Sequence, residues 1–295
     1  MNIEVITIDN YSPLRYPGGK NKTYPYVEYI VSNNTIDTYI EPYCGGAAVA
    51  LKLLFNNKVK KIMINDFDRS IYAMWFSILN HTDEFIGMIA ESKFTMDEWY
   101  RQKHIQNNKE NENLLILGFS TFYLNRTNRS GVIKGGPIGG IEQDGAYKLD
   151  CRFNKKVLID KVNLISSKKN KIKLYNKDAL EFIASNVSKT RNSFTFFDPP
   201  YYKKGPGLYT NFYEHIDHLE LSQHINKYMQ NKKWILTYDV NDKIFDMYSD
   251  YEKFEYYLNY SAGSTKIGLE YIFLSNTLSS ANINEYLRIK ENVQF

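Results

Sequence analysis

Cysteine is scarce in this chain: 295 residues hold two, Cys44 and Cys151. Two cannot build a disulfide framework, and so few point to a reducing cytosol. No run of about 18 apolar residues occurs, so a membrane-spanning helix and a membrane partner are not expected. The opening stretch, MNIEVITIDNYSPLRYPGGK, carries acids and lacks an apolar centre, so it does not read as a secretion signal. Histidine is sparse too. His215, His218 and His224 fall close together, but no cysteine or third carboxylate completes a metal-ligand spacing. Their segment reads as the start of an amphipathic helix, and no metal centre is expected. Internal repeats and low-complexity tracts are absent.

What is present is a core and an uneven charge. Hydrophobic residues make up 43% of the chain, enough for one large domain or a domain with a smaller lobe. The 25 tyrosines fit an AT-rich coding sequence and carry no functional weight. Residues 118–175 hold 12 Lys/Arg and 4 Asp/Glu, a net of +8 against +4 for the whole chain, which leaves the remainder at −4. A basic middle segment is the footprint of a polyanion-binding surface. A solvated helix face accounts for it equally well.

Short apolar runs alternate with helical periodicity. Strands are expected at 37–42, 60–66, 171–176, 193–198 and 233–239, with helices at 46–57, 69–79, 178–185, 217–229 and 242–248. Residues 254–261 and 270–275 read as a closing antiparallel pair. This alternation implies an α/β fold with a mostly parallel sheet. Residues 91–165 break it. Two helical stretches, 96–108 and 112–125, precede a loop with five glycines and Pro137 within 131–140. A loop of that length in a compact domain is usually functional or disordered. Phe119, Phe122 and Tyr123 have helical spacing and are expected in the core.

Three motifs carry chemistry. In YIEPYCGGAAVAL (39–51), a strand ends at Glu41 and turns through Gly45 and Gly46 into a helix, the arrangement that lets backbone approach a ligand. A tight turn without a ligand explains it as well. The next strand ends at Asp66, which suits a ribose hydroxyl or a helix cap, and Asp68 suits the cap equally. In FTFFDPPYYKK (194–204), an apolar strand delivers Asp198 to the ligand edge of the sheet. Pro199 and Pro200 fix the corner and have no N–H of their own. Converging acceptors suit an exocyclic amine, and Tyr201 supplies an aromatic face for a base.

Here the sequence resembles a family, the Dam-like S-adenosylmethionine-dependent DNA adenine-N6 methyltransferases. SPLRYPGGK (12–20) resembles its N-terminal cofactor motif, EPYCGGAAV (41–49) its glycine-rich loop and NDFD (65–68) its second-strand acid. FYLNRTNRSG (122–131), GGPIGG and RFNK (152–155) resemble its DNA-binding insert, and DPPYY (198–202) its catalytic loop. Motif order agrees, and the likeness spans essentially the whole chain. It implies a Rossmann-like, mostly parallel sheet with helices on both faces and antiparallel C-terminal strands. Residues 1–90 and 166–295 would form the catalytic, cofactor-binding domain, and 91–165 an inserted target-recognition region. S-adenosyl-L-methionine would be contacted by Tyr16, Lys20, Tyr43, Gly45, Asp66, Asp178 and Asp198. Asp198, Pro199, Pro200 and Tyr201 would form the catalytic loop, with Tyr201 stacking on a flipped adenine. Arg126, Arg129, Lys134 and Arg152 are candidates for phosphate or guanine, Asn125 and Asn128 for adenine edges, and Lys203 and Lys204 for nearby phosphate. One departure is Ala47, where the family often has a further glycine; its small size weakens close approach only slightly. No metal is required, because the sulfonium already activates the methyl group. Double-stranded DNA is the implied partner, in a prokaryotic or phage-infected cytoplasm. A cognate restriction endonuclease is left open, as are an N4-cytosine or RNA methyltransferase and a catalytically silent nucleic-acid-binding protein.

Overall fold

The structure is a computed structural model and describes residues 10–15, 20–202, 213–260, 266–279 and 282–290. A seven-stranded sheet organises the chain. Its strands are β1 (Thr38–Glu41), β2 (Lys61–Asn65), β3 (Ile172–Tyr175), β4 (Ser193–Phe197), β5 (Lys233–Asp239), β6 (Glu252–Tyr260) and β7 (Lys266–Leu274). The spatial order is β3-β2-β1-β4-β5-β7-β6. The first five are parallel, and β7 inserts antiparallel between β5 and β6. β1 and β4 are buried along their whole length, which is why TYIE and SFTFF read as continuous rather than alternating runs.

Chain order reverses between β1 and β4, and the carboxyl ends of those neighbours open a crevice where such sheets bind ligands. Glu41 ends β1, and Asp198 follows β4 directly. The strand pleat gives each face its own core. Tyr39, Ile64, Phe194, Ile235, Ile272 and Leu274 lie on one side, packed against α1 (Tyr24–Ser32), α2 (Ala48–Phe55) and α3 (Arg69–Asn80). Ile40, Met63, Phe197, Trp234, Leu236 and Phe273 lie on the other, with Phe182 of α8 (Ala179–Phe182) and Leu221 and Ile225 of α9 (His215–Tyr228).

The expected strands and helices are present with boundary shifts of a few residues. The expected helix at 178–185 is α8 followed by a π-helical turn, Ile183–Val187. Three helices were not among the expected elements: α1, α4 (Thr82–Glu91) and α7 (Lys155–Ser166). α5 (Met96–Asn107) and α6 (Leu114–Thr127) match the two helical stretches, capped by Thr95 and Asn113. Ile105 and Leu117 form a small separate cluster with Ala73 of α3, while most apolar residues of the helices between 91 and 165 join the first face's core. Phe119, Phe122 and Tyr123 of α6, Phe153, and Leu158 and Val162 of α7 all join it.

α6 lies tightly against α3 at Gly118. A methyl group there would sit 2.5 Å from the Ala73 carbonyl oxygen and 2.5 Å from Ser77 Oγ. Alanine favours helix by about 1 kcal/mol over glycine. The clash is largely with backbone, so Gly118→Ala is expected to destabilise by roughly 1–3 kcal/mol net. Chemical denaturation measures the difference.

Candidate active site at the carboxyl edge of the sheet

The glycine-rich turn is held from several sides. Gly45 and Ala47 both adopt left-handed backbone, with φ of 44° and 46°. The Gly45 N–H donates to Asp66 Oδ2 at 2.9 Å, and its carbonyl accepts from Trp75 Nε1 at 2.9 Å. Ala47 occupies the N-cap of α2 and gives it no side-chain cap. Glu41 supplies one from outside: its Oε1 accepts the Ala50 N–H at 3.2 Å and the Tyr39 hydroxyl at 3.0 Å. Burial, reinforced by Asp198, pushes the Glu41 carboxyl up to about 8, against hydrogen bonds from Tyr39 and Ala50.

Asp68, not Asp66, caps α3, accepting the Ser70 N–H at 2.9 Å. Asp66 directly follows β2. Its two oxygens accept the N–H groups of Gly45 and Asp68, and burial raises its carboxyl to about 7, with Asp68 adding. Phe67 beside it is 59% exposed, a large apolar face at the rim that sequence reading passed over. Asp178 caps α8 through the Leu180 N–H at 2.9 Å and lies exposed at the same rim. Tyr43 meets Tyr213, hydroxyl to hydroxyl, at 3.0 Å. Tyr16, Lys203 and Lys204 lie outside the described residues.

The catalytic-loop candidates converge on Lys20, which is 6% exposed. Its ammonium lies 3.0 Å from Asp198 Oδ1 and 3.5 Å from Glu270 Oε2, and donates to the Tyr201 hydroxyl. Thr237 also donates to Asp198 Oδ1, at 2.9 Å. That oxygen therefore holds two donors, while no described residue donates to Oδ2. The Pro199 carbonyl likewise accepts no hydrogen bond from a described residue. Burial raises the Asp198 carboxyl above its ordinary value; Lys20 opposes this and Glu270 adds to it. Asp239, at the end of β5, accepts the Tyr202 N–H at 2.9 Å and pins the loop after the prolines.

Tyr201 departs from expectation. Its ring is 3% exposed and its hydroxyl donates to Glu270, so this conformation presents no open stacking face. The hydroxyl bonds Lys20 and Glu270, and the Lys20 ammonium lies over the ring, 4.9 Å from its centroid. Glu270 and Thr237 had no motif to announce them. Both sit in β-strand alternation, and their partners are distant in sequence.

The insert brings three corrections. Asn125 is 1% exposed and exchanges hydrogen bonds with the Arg15 backbone at 2.7 and 2.9 Å and with the Gly131 carbonyl at 2.8 Å. Asn128 is fully buried, accepting from Trp99 Nε1 at 2.7 Å and donating to the carbonyls of Val132 and Ile133. Arg126 clamps the Pro13 carbonyl, and burial and then Arg15 lower its guanidinium to about 10. All three build the loop and its anchorage rather than facing outward. Arg129, Lys134 and Arg152 are exposed, as DNA contacts require. The basic character continues inward: burial and Arg126 lower the Lys161 ammonium to about 8, and burial and Arg152 lower Arg15. Of the clustered histidines, buried His218 bonds through Nδ1 to the Tyr238 hydroxyl at 2.8 Å.

The acids and the left-handed turn fit S-adenosylmethionine by chemistry. That molecule carries two cationic centres, a ribose diol and an adenine ring. The crevice offers carboxyl groups at Asp66 and Asp198 and an exposed aromatic at Phe67.

The model of the D12 class N6 adenine-specific DNA methyltransferase family matches residues 16–261. A curated relative, the Type II methyltransferase M.MjaIII of Methanocaldococcus jannaschii, is 24% identical over 205 residues, covering 64% of this chain and 68% of that protein. Among solved structures, the rRNA methyltransferase aviRa from Streptomyces viridochromogenes is similar with a TM-score of 0.38 and 9% identity, over 85% of this chain and 81% of its own. That last likeness is too loose to bear on function. The chain belongs to the D12 class of N6 adenine-specific DNA methyltransferases. It is an adenine-specific DNA methyltransferase, and membership implies S-adenosylmethionine as methyl donor and DNA as substrate. No helix among the described residues is long and apolar enough to cross a membrane.

Two predictions follow from this geometry. Folded Glu41 holds its proton up to about pH 8, against a reference value of 4.5. Its stabilising contribution is complete below pH 4.5 and is lost as pH rises through 8. Wild-type stability is therefore expected to fall more than that of Glu41→Gln between those limits, by on the order of 2–4 kcal/mol. Denaturation at several pH values checks the difference. Asn128→Ala strands the Trp99 N–H and two carbonyls and is expected to cost on the order of 3 kcal/mol. DNA affinity of the folded variant should stay within about twofold, because the lost bonds are internal; a selective loss of binding would reassign the residue to recognition.

Proposed function

We propose that Asp198 and the Pro199 carbonyl accept the two N–H bonds of adenine N6 and turn its lone pair toward the donor methyl. The amine is a poor nucleophile because that lone pair is delocalised into the ring. Acceptors aimed at its hydrogens favour a pyramidal nitrogen, and transfer is direct and in line. The observation carrying this reading is the asymmetry of Asp198: Lys20 and Thr237 engage Oδ1, whereas neither Oδ2 nor the Pro199 carbonyl takes a hydrogen bond from a described residue. Pro200 holds that corner rigid. Tyr201, through its hydroxyl, positions Lys20.

S-adenosylmethionine supplies the activated methyl group. Asp66 would bind the ribose hydroxyls, Gly45 the adjoining backbone contact, and Phe67 with Asp178 the adenine end. Tyr43 and Lys20 would line the remaining wall. The base must leave the duplex to reach this depth.

Residues 1–90 and 166–295 would act as the catalytic domain and 91–165 as the recognition region. Exposed Arg129, Lys134 and Arg152 would meet phosphates or guanine edges. The name of the archaeal relative supports a restriction-modification setting with a cognate endonuclease, and a cytoplasmic site of action follows from acting on cellular or phage DNA. The cytosine, RNA and catalytically silent alternatives have no support in the family match.

Asp198→Ala is expected to lower methyl transfer at least roughly 10²–10³-fold, with duplex affinity changed by less than about threefold. Labelled-methyl transfer and gel-shift titration give the two numbers. Wild-type-like turnover would remove Asp198 from the mechanism. Base-modification sequencing of DNA from an expressing host reports base and recognition site together.

A further inference from the structure

Glu270 is a costly residue where it stands. It is 0% exposed, on the antiparallel strand β7. In the ladder it lies opposite Asp239 of β5 on one side and Tyr256 of β6 on the other. Like charges directly opposite each other destabilise a sheet, and a buried carboxylate adds desolvation. Its neighbours along the strand on the same face, Ile272 and Leu274, are apolar core residues. Packing alone would be served by a third.

Its contacts lead to the reacting centre. Glu270 Oε1 accepts the Tyr201 hydroxyl, and Oε2 accepts the Tyr256 hydroxyl at 2.7 Å. Oε2 also lies 3.5 Å from the Lys20 ammonium, which contacts Asp198 at 3.0 Å. One ammonium is thus shared by fully buried Glu270 and partly exposed Asp198, which come from β7 and the end of β4 on different sides of β5. An ammonium paired with one carboxylate cancels most of its field; an ammonium drawn toward two cancels less of each.

We propose that Glu270 is a positioning residue for the transfer: by competing for Lys20 it leaves Asp198 with enough negative charge to favour a cationic methyl donor over its neutral product. The sulfonium loses its charge when the methyl leaves. A site tuned in this way holds the donor and releases the thioether. The assignment rests on the donor site proposed above.

Glu270→Gln keeps the shape and an acceptor oxygen and removes the charge. Calorimetry on the full chain would use S-adenosylmethionine, S-adenosylhomocysteine, and an analogue with a protonated amine in place of the sulfonium. In Glu270→Gln, the preference for either cationic ligand over S-adenosylhomocysteine is expected to fall roughly tenfold. Affinity for S-adenosylhomocysteine itself should change by less than about threefold. Glu270→Asp keeps the charge and is expected to keep a preference near wild type; it also decides the matter should the glutamine variant fail to fold. An unchanged preference in Glu270→Gln, or its loss in Glu270→Asp, overturns the assignment and leaves a structural role. Failure of the wild type to bind S-adenosylhomocysteine or the donor would instead overturn the donor site.

Discussion

One buried ammonium holds the chemical end of this molecule together. Lys20 comes from the N-terminal segment, Asp198 from the end of β4 and Glu270 from β7, and the three meet within 3.0 and 3.5 Å. A fully buried carboxylate at Glu270 beside a second one at Asp198, without a cation, would cost several kcal/mol or take up protons. The position of the N-terminal segment, the course of the catalytic loop and the pairing of the antiparallel strand are therefore coupled. The Asp198 carboxyl sits where burial and Glu270 push its protonation one way and Lys20 the other. A ligand bringing positive charge tips that balance.

Much of the fold was legible because interior parallel strands are apolar throughout and their flanking helices are amphipathic. FTFFDPPYY announced both the strand and the corner. What could not be read was what each polar residue bonds to. Glu270 occurs in LEYIFLS as an ordinary acid in a strand, and its partner Lys20 lies at the other end of the chain. Asn125, Arg126 and Asn128 sit in a basic, glycine-rich segment and have the composition of a DNA-reading loop. In the structure their side chains meet backbone carbonyls, backbone N–H groups and the Trp99 indole. A hydrogen bond that shapes a loop and one that reads a base require the same side chains, and only burial separates them. α1 was missed for a simpler reason. Its sequence, YPYVEYIVS, is rich in aromatic and β-branched residues with low intrinsic helix preference, and packing on the sheet overrides that preference.

The insert shows how such a loop is kept in shape. Three of its glycines, Gly131, Gly139 and Gly140, adopt left-handed backbone, and Ser130 does so as well. Asn128 closes the turn from inside, and Arg126 ties the end of α6 to Pro13. The cost of ordering a glycine-rich segment is met by buried polar bonds together with the packing of Ile133 and Leu149 on the core. On the proposed reading, the exposed cations Arg129, Lys134 and Arg152 are then displayed from a fixed frame, which limits the entropy lost on binding DNA.

Ala47 makes a similar point about the donor-side turn. Read as a sequence, alanine there is a matter of size. In the structure it is a matter of conformation: φ is 46°, a region that costs a residue bearing Cβ about 1–2 kcal/mol. That strain persists because the turn is over-determined. Asp66 holds the Gly45 N–H, Trp75 holds the Gly45 carbonyl, and Glu41 holds the first turn of α2 through Ala50. An apolar residue at the end of β1 would bury more easily than Glu41, but it would leave α2 without a cap at the place where Ala47 provides none. Kept largely protonated by burial, Glu41 serves as that cap at lower electrostatic cost. It also leaves the charge nearest the catalytic loop to Asp198, which Lys20 pairs.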